Sequence, residues 1–399
     1  LAPFIAKPGS RLARDHPDWF IRSPLGLPAN AGFVFNTFSR GLDVTHPDVQ
    51  EHTRELIGTA VNDWGYPYLK LYFLYAAALP GARHDPTRTR AQALRLGLDL
   101  IREAAGPDTF LLGCGCPLGT AVGVVDAMRI SADVDPRWRP SFSGLSFPFR
   151  NEPAMPSARN AIRNSITRAP LHRRWWLNDP DCLLVRDDSR LSLDEVTALA
   201  TVIALTGGMF FVSDDLTKLS AERRRLIEPL LPVLGRTALA RDWLEKEMPE
   251  HFELPMRGAV GDWAVIGLFN WDEKPATRWL PHPAGEPASH VHDFWQQTHT
   301  LATAPVQYDL PPHSGRLLAV RPALAVPQYL GSSLHFSQGG EVEAWEPGDH
   351  AARLIINLGR EARGHIVLSL PDAARRSLAV RVAPLVGGEA VSQFAIGDS

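Results

Sequence analysis

Short apolar runs alternate with amphipathic helical patterns along the first 235 residues of the chain. This alternation is typical of α/β proteins with a parallel sheet. The strand-like runs cover residues 1–6, 68–73, 110–113, 124–130, 183–186 and 209–213. Helical patterns between them include residues 47–63, 87–105, 158–167, 193–205 and 221–234, and the fourth of these opens with Ser192 and Glu195 in capping-box spacing. Six strand–helix units approach the eight of a (β/α)₈ TIM barrel, so we predict the later strands of such a barrel and expect two further units upstream.

The pattern of apolar and polar residues changes from about residue 258. Short alternating runs follow at residues 263–271, 316–320, 333–336, 353–357 and 365–370, with turn residues between them. Such spacing predicts a C-terminal antiparallel β-sandwich. We therefore expect a partial barrel domain over residues 1–240 and a β-sandwich domain over 258–399, with the boundary between Ala240 and Gly258.

Composition narrows the function classes. Apolar residues make up 45% and charged residues 21% of 399 residues, which is close to the soluble globular average. The net charge is −3, whereas nucleic-acid binders typically carry an excess of basic residues. The chain contains no apolar run of 18 or more residues, so the sequence predicts no membrane span. Three cysteines, at 114, 116 and 182, without metal-ligand spacing predict neither a disulfide scaffold nor a metal site, and we expect no cofactor.

The chain begins at Leu1 without a basic leader segment or a signal-peptide pattern. This opening favours a cytoplasmic location, although we expect the N-terminus to be incomplete. The richness in indole, 11 Trp against 6 Tyr, suits stacking on sugars but is equally typical of a protein core. Homo-oligomer formation stays open at this stage.

In a parallel barrel, chemistry lies at the carboxyl ends of the strands. Lys70 and Tyr72 are two apart in one strand-like run and therefore share a face. A lysine that points into a barrel is costly unless an acid or a ligand pairs with it. The alternative is that Lys70 ends a strand in solvent.

A second candidate group follows another strand-like run. Arg129 and Asp133 are four apart, on one face of an extended segment, and Asp135 on the same face is the competing carboxylate. Farther along, Trp175 and Trp176 could stack on a sugar ring, but in a strand they face opposite sides, so at most one can do so.

Several ordered motifs closely resemble the α-galactosidases of glycoside hydrolase family 36. They lie at residues 2–4 (APF), 16–19 (HPDW), 42–45 (LDVT), 110–118 (FLLGCGCPL), 121–123 (AVG), 128–133 (MRISAD) and 176–182 (WLNDPDC). The resemblance covers residues 1–235 and continues more weakly into the β domain, at residues 330–333 (LGSS). It implies a retaining enzyme that removes terminal α-linked galactose from oligosaccharides, with one carboxylate as nucleophile and a second as acid/base.

Carried over by position, the resemblance gives Asp133 the role of acid/base and Arg129 that of its neighbour in the substrate site. Lys70 matches a lysine that contacts the sugar, and Cys114 lies at a position close to the bound galactose. From the stacking argument, Trp176 is the further candidate for substrate binding. Tyr72 is the departure, because the family has the nucleophilic Asp at this position.

Tyr72 alters the expected mechanism. A retaining glycosidase needs two carboxyl groups about 5–5.5 Å apart. The phenol reaches farther from the backbone than a carboxylate, and a misplacement of about 1 Å can cost ~100-fold in rate. A sequence error, a decayed or altered gene, and a natural pseudoenzyme all remain open as origins of Tyr72.

The family's Asp-Asp-Gly-Trp segment and its N-terminal β domain have no counterpart in this sequence. The sequence is therefore consistent with two classes of function. One is an α-galactosidase impaired in this copy, and the other is a non-catalytic protein that binds a carbohydrate or a partner.

Overall fold

The computed structural model describes residues 1–34, 36–141, 152–282, 284–348, 351–370, 373–382 and 391–395. By contacts the chain divides into two compact units. The first comprises residues 1–130 and 171–179, and the second comprises residues 131–170 and 180–399. The expected domains, 1–240 and 258–399, stay a prediction.

The described residues of the first unit form seven strands and four α-helices. The strands are β1 (Ile5–Ala6), β2 (Asn30–Val34), β3 (Thr37–Gly41), β4 (Tyr68–Leu71), β5 (Phe110–Gly113), β6 (Ala127–Arg129) and β7 (Leu177–Asp179). The helices are α1 (Arg11–Asp15), α2 (Pro47–Gly58), α3 (Arg90–Ala105) and α4 (Leu118–Ala121), with a π-helical turn at Thr59–Asp63 and a 3₁₀ turn at Leu74–Ala78.

Strands β4 to β7 form a parallel sheet in chain order. Helix α3 starts after Thr89, which closes a capping box with Gln92, and it ends at Gly106 in a positive-φ conformation. Its apolar face, with the face of α2, packs into the unit's hydrophobic core. Phe4 lies so close to Gly97 that a side chain at position 97 would collide with the ring.

The second unit begins with short helical and parallel elements. They are α5 (Ala158–Arg168), β8 (Cys182–Leu183), α6 (Leu193–Thr206), β9 (Phe211–Val212) and α7 (Ala221–Arg224), with a 3₁₀ turn at Glu228–Leu230. The predicted capping box at Ser192 and Glu195 is confirmed at the start of α6. Strands β8 and β9 pair in parallel.

Antiparallel sheets make up the rest of this unit. Their strands are β10 (Leu239–Ala240), β11 (His251–Gly258), β12 (Gly261–Asn270), β13 (Ala276–Leu280), β14 (Ser289–Asp293), β15 (Thr298–Ala302), β16 (Val306–Leu310), β17 (Ser314–Pro322), β18 (Gln328–Ser332), β19 (Val342–Pro347), β20 (Ala351–Ile356), β21 (Ala362–Leu370), β22 (Ala373–Val382) and β23 (Val391–Ala395).

Strand order explains how these sheets bury apolar side chains. The largest sheet runs β10-β11-β12-β17-β14-β15, and the smaller ones run β13-β16, β18-β21-β22 and β19-β20-β23. Val265 and Phe269 on β12 face a core that includes α6, whereas Ile266 and Leu268 face a separate cluster with Leu280 of β13. Both faces of the large sheet are therefore covered.

The change from parallel to antiparallel strands confirms the coarse architecture predicted from sequence. Among the described residues the parallel strands form a four-stranded and a two-stranded sheet, and no closed barrel is present. The barrel therefore stays a proposal.

Several element boundaries were predicted wrongly. Residues 1–6 contain only the two-residue strand β1, which pairs antiparallel with β3 and not with the parallel sheet. The helix over 221–234 stops at Arg224, and a separate 3₁₀ turn follows at Glu228–Leu230, where Pro229 lies in the first turn and needs no amide hydrogen. No strand forms at 333–336, because β18 ends at Ser332. Strand β7 and the β2–β3 hairpin were missed.

Candidate functional site

Four polar or reactive side chains lie at one level across the carboxyl ends of β4 to β7. The register pairs Leu71 with Gly113, so Tyr72 and Cys114 follow at the same height. Gly113 pairs with Met128, which puts Arg129 at that height as well. Arg129 in turn pairs with Asp179 on β7. We call Tyr72, Cys114, Arg129 and Asp179 the strand-end level.

Lys70 reaches the strand-end level from two positions below it on the same face. Its Nζ donates to Asp179 Oδ2 at 3.0 Å, and the Asp179 side chain is 0% exposed. Burial lowers the pKa of Lys70, but the charge and hydrogen bond of Asp179, with a smaller contribution from Tyr72, outweigh it and leave that pKa raised. Lys70 is therefore a fixed cation at neutral pH, and of the alternatives that the sequence left open, the structure shows an acid partner.

Tyr72 is the most accessible member of the strand-end level, 36% exposed. Its ring centroid lies 5.7 Å from Lys70 Nζ, which agrees with the predicted shared face. Its backbone N–H donates to the Leu1 carbonyl at 2.7 Å. The next residue, Phe73, has a φ of 57°, so the chain turns sharply after the strand and Tyr72 stays at the rim of the sheet.

Cys114 and Arg129 are both buried, 7% exposed each. The Cys114 N–H donates to the Leu71 carbonyl at 2.8 Å, which extends the pairing of β4 and β5 beyond the paired strands. Burial raises the pKa of the nearby Cys116 thiol to about 12. This thiol is therefore protonated and unreactive at neutral pH.

Trp176 does not join the strand-end level. Alternation along β7 puts Asp179 on one face and places Trp176 and Asn178 on the other. Trp176 packs into the hydrophobic core of the first unit, and its Nε1 donates to Asn178 Oδ1 at 3.1 Å. Trp175, its neighbour, is 44% exposed.

The remaining candidates, Asp133 and Asp135, belong to the second unit. Strand β6 ends at Arg129, so the single extended strand expected through Asp133 does not form. Asp133 is exposed, and its carbonyl accepts from the N–H of Ser157, the N-cap of α5. Asp135 instead accepts two hydrogen bonds from Arg137, at 2.6 and 2.9 Å, and this pairing raises the pKa of Arg137.

Sequence reasoning gave no role to two buried carboxylates of the Asn178-Asp179-Pro180-Asp181 motif. Asp179 holds Lys70, as described above. Asp181 has a φ of 78°, and its Oδ2 accepts from the Val134 N–H at 2.7 Å. Ser131 adds a hydrogen bond to the Pro180 carbonyl at 2.8 Å. Together these bonds fix the segment that carries Asp133. The sequence signal that could have identified Asp179 and Asp181 is a pair of acidic residues on either side of a proline, directly after a short apolar run.

An ammonium group at the rim of a parallel sheet can donate to the hydroxyl groups of a sugar. Within the described part of the chain, no group of three His, Cys, Asp or Glu side chains is arranged to hold a metal ion. No helix found there is both long and apolar enough to cross a bilayer.

Comparison with known proteins points to glycoside hydrolases. A scan against protein-family models finds no match. The α-galactosidase TtGalA of Thermus thermophilus, solved with p-nitrophenyl α-D-galactopyranoside, shares 33% identity with a TM-score of 0.51. That alignment covers 63% of this chain and 49% of the other, so this chain spans about half the length of TtGalA.

A more distant likeness extends over more of the chain. Alpha-galactosidase I of Mortierella vinacea aligns with a TM-score of 0.51 at 16% identity, covering 73% of this chain and 75% of that one. At this identity the comparison shows the fold alone. The chain is therefore similar in structure to solved α-galactosidases and has a glycoside-hydrolase type of fold.

Proposed function

We propose that this chain derives from a retaining α-galactosidase and binds a terminal α-linked galactose at the strand-end level. The observation that carries the proposal is the convergence of Lys70, Arg129 and Asp179 on one face of β4 to β7. Lys70 and Arg129 offer hydrogen-bond donors at the end of the sheet where parallel α/β folds bind ligands, and the buried Asp179 holds Lys70 in place. The identity of 33% to TtGalA supports a galactoside as the ligand.

In this proposal Asp133 is the acid/base and Tyr72 occupies the position of the nucleophile. Arg129 and Cys114 line the sugar site with Lys70. Asp181 and Ser131 act as positioning residues for Asp133. Asp181 accepts from the N–H of Val134, the residue after Asp133, and Ser131 donates to the Pro180 carbonyl. Trp176 takes a structural role, because it is buried on the opposite face of the sheet.

Hydrolysis is impaired in this proposal because of the chemistry of the strand-end level. Among the four positions that define it, Asp179 is the single carboxylate, and it is fully buried against the Lys70 ammonium. An ion-paired, buried carboxylate is poorly suited to attack an anomeric carbon. The same observation favours the second candidate function, a carbohydrate-binding protein without catalysis.

A binding measurement tests the proposal. Isothermal titration with methyl α-galactoside and methyl α-mannoside is expected to show binding of the galactoside alone. Lys70→Met is expected to weaken that binding at least tenfold, whereas Lys7→Met, which replaces an exposed lysine of the same unit, is expected to leave it unchanged. Equal affinity for the two sugars would overturn the galactoside assignment.

A further inference from the structure

A cavity of about 550 Å³ opens in the second unit, and none of its lining residues has a role in the galactoside proposal. It is lined by β14 and β15, by the turn after β18, by the start of β21 and by the segment that follows α7. This volume lies in the range of small-molecule sites, roughly 300–1,000 Å³. All of its lining residues belong to the same unit.

The cavity wall is strongly cationic. Among the described residues that line it, Arg225, Arg360 and Arg363 stand against the single carboxylate of Glu228. Three histidines, His292, His299 and His365, line it as well. Because low-dielectric walls strengthen charge interactions, such a cavity favours an anion over a neutral ligand.

Arg360 is a fixed charge in this wall. Its guanidinium donates to the backbone carbonyls of Leu231, Glu228 and Leu334 at 3.1, 2.7 and 3.0 Å. These neutral acceptors hold the group in place and leave its positive charge. Burial lowers the pKa of Arg360, and the charge of Glu228 opposes this effect.

The other two arginines are more accessible. Arg225 is exposed, and the side chain of Arg363 is 73% exposed at 3.6 Å from Glu361. Exposed ion pairs of this kind contribute little to stability. The Arg363 guanidinium can therefore turn towards a ligand at small cost to the fold, and the exposed Arg225 side chain is accessible to the same ligand.

An aromatic surface completes the cavity. Trp295 is half-buried, and its Nε1 donates to Thr201 Oγ1 at 2.7 Å, which fixes the indole plane. Phe294 supports it edge-on, with the ring centroids 4.8 Å apart. A fixed indole beside guanidinium groups suits a ligand that has both an apolar ring face and a negative charge.

We infer that this cavity binds an anionic saccharide, that is, a sugar that carries a phosphate or a carboxylate group. Arg225 and Arg363 take the anion, Arg360 supplies a fixed field, and the Trp295 indole packs against the sugar ring. The inference is independent of the galactoside proposal, since it uses none of the residues of the strand-end level.

Isothermal titration with glucose 6-phosphate, glucuronate, inorganic phosphate and glucose tests the inference on the full chain. Glucose-based probes keep a galactoside site out of the measurement. We expect one of the two anionic sugars to bind at least tenfold more tightly than glucose and than phosphate, and the stronger of the two identifies the anion. Binding is expected to weaken as NaCl rises from 50 to 500 mM.

Variants locate the site. Arg225→Ala and Arg363→Ala are each expected to weaken the anionic sugar about tenfold, as for loss of a charged hydrogen bond. The matched control is Arg257→Ala, which removes an equally exposed arginine paired with Asp262 outside the cavity, and it is expected to change affinity less than twofold. Trp295→Leu is expected to weaken the sugar but not inorganic phosphate.

Two results would overturn the inference. One is equal binding of glucose and the anionic sugars. The other is an affinity for the anionic sugars that Arg225→Ala and Arg363→Ala leave unchanged while circular dichroism shows a native fold.

Discussion

Lys70 on β4 and Asp179 on β7 meet at 3.0 Å although two strands of the same sheet lie between them. At about 4.8 Å between neighbouring strands, a flat sheet would separate β4 from β7 by roughly 14 Å. The two side chains also start at different heights, so together they cannot span a flat sheet. The sheet is therefore curled, with both residues on its concave face, as in a segment of a barrel wall.

Removal of one partner of this pair is expected to destabilise the first unit. Asp179→Asn leaves the Lys70 ammonium without its counter-charge, and breaking a buried pair costs about 3–5 kcal/mol. Because the Lys70 side chain is 23% exposed, we expect a loss at the lower end of that range. Urea denaturation followed by circular dichroism measures it.

The control for this prediction is the exposed pair of Arg95 and Asp99 on α3. Asp99→Asn is expected to change the free energy of unfolding by less than about 0.5 kcal/mol. The double variant Lys70→Met/Asp179→Asn is expected to recover part of the loss, because the Lys70 charge is then removed together with its partner. Equal effects of Asp179→Asn and Asp99→Asn would show that the pair contributes no stability.

Glu341 is the centre of a buried polar network in the second unit. Its Oε1 accepts from Tyr329 Oη at 2.6 Å and Ser332 Oγ at 2.5 Å, and its Oε2 accepts from the Gly339 N–H at 2.7 Å. The buried Arg321 guanidinium interacts with this carboxylate, and burial lowers the pKa of Arg321 to about 10 despite that attraction. Glu341 therefore supplies the negative charge that balances the Arg321 guanidinium in this network.

Glu341→Gln is expected to lower the free energy of unfolding by about 2–4 kcal/mol. The amide nitrogen cannot accept, so at least one buried donor loses its partner, and Arg321 loses a counter-charge. Glu343→Gln, at an exposed position two residues away, is the matched control, with an expected change within about 0.5 kcal/mol. A small effect of Glu341→Gln in the same denaturation assay would contradict this role.

His335 is expected to make the second unit less stable in acid. Its Nε2 lies 2.9 Å from the Pro232 carbonyl, which can only accept, so Nε2 carries the proton and Nδ1 faces the Ser337 N–H at 3.3 Å. Burial lowers the pKa of His335, and Glu341 opposes this only in part. The folded state therefore holds the neutral imidazole.

As the pH falls below about 6.5, the unfolded chain binds a proton at His335 before the folded chain does. Stability is consequently complete above that pH and declines as the pH falls towards the lowered folded pKa, with a slope of at most about 1.4 kcal/mol per pH unit. His335→Gln keeps a donor towards Pro232 but cannot titrate. We expect a smaller slope in this variant between pH 5 and 6.5, and identical slopes would refute the assignment.

The sequence predicts those parts of the fold that depend on local pattern. Strands β4 and β5 and helix α3 lie within the segments that apolar periodicity predicts, and α6 begins at the predicted capping residue Ser192. The pairing of β1 with β3 and the position of β7 were missed, because strand partners are set by contacts distant in the chain and the residues of β7 are mostly polar.

In the candidate site too, features set by local pattern could be predicted, and contacts between residues distant in the chain could not. The shared face of Lys70 and Tyr72 follows from two-residue alternation and is confirmed. The partner of Lys70 lies 109 residues away, and no local pattern specifies such a contact. Trp176 was expected to contact the sugar, but it lies on the face opposite to Asp179. Alternation along a strand shows which side chains share a face, and it could not be applied to Trp176 before β7 was known to end at Asp179.

The last prediction concerns catalysis and depends on Tyr72. Without a carboxylate nucleophile no covalent glycosyl intermediate forms, and losing one member of a cooperating pair removes most of the rate. The chain with Tyr72 is expected to hydrolyse p-nitrophenyl α-galactoside at background rate, and Tyr72→Phe is expected to behave in the same way. Tyr72→Asp is expected to raise kcat/KM at least 100-fold only when the chain is also extended by the upstream barrel strands of the family, which carry the Asp-Asp-Gly-Trp segment and supply the remaining galactose contacts. Appreciable activity that is lost in Tyr72→Phe would instead establish the phenol as the nucleophile.

The Tyr72→Asp background also tests the acid/base. Asp133→Asn is expected to reduce turnover of raffinose more than that of the aryl galactoside, because an activated leaving group needs less protonation of the departing oxygen. Asp135→Asn is the matched control, since its carboxylate is already bound to Arg137, and it is expected to affect both substrates equally. If Asp135→Asn and not Asp133→Asn shows the dependence on the leaving group, the two carboxylates exchange roles, and Asp135 must leave Arg137 when substrate binds.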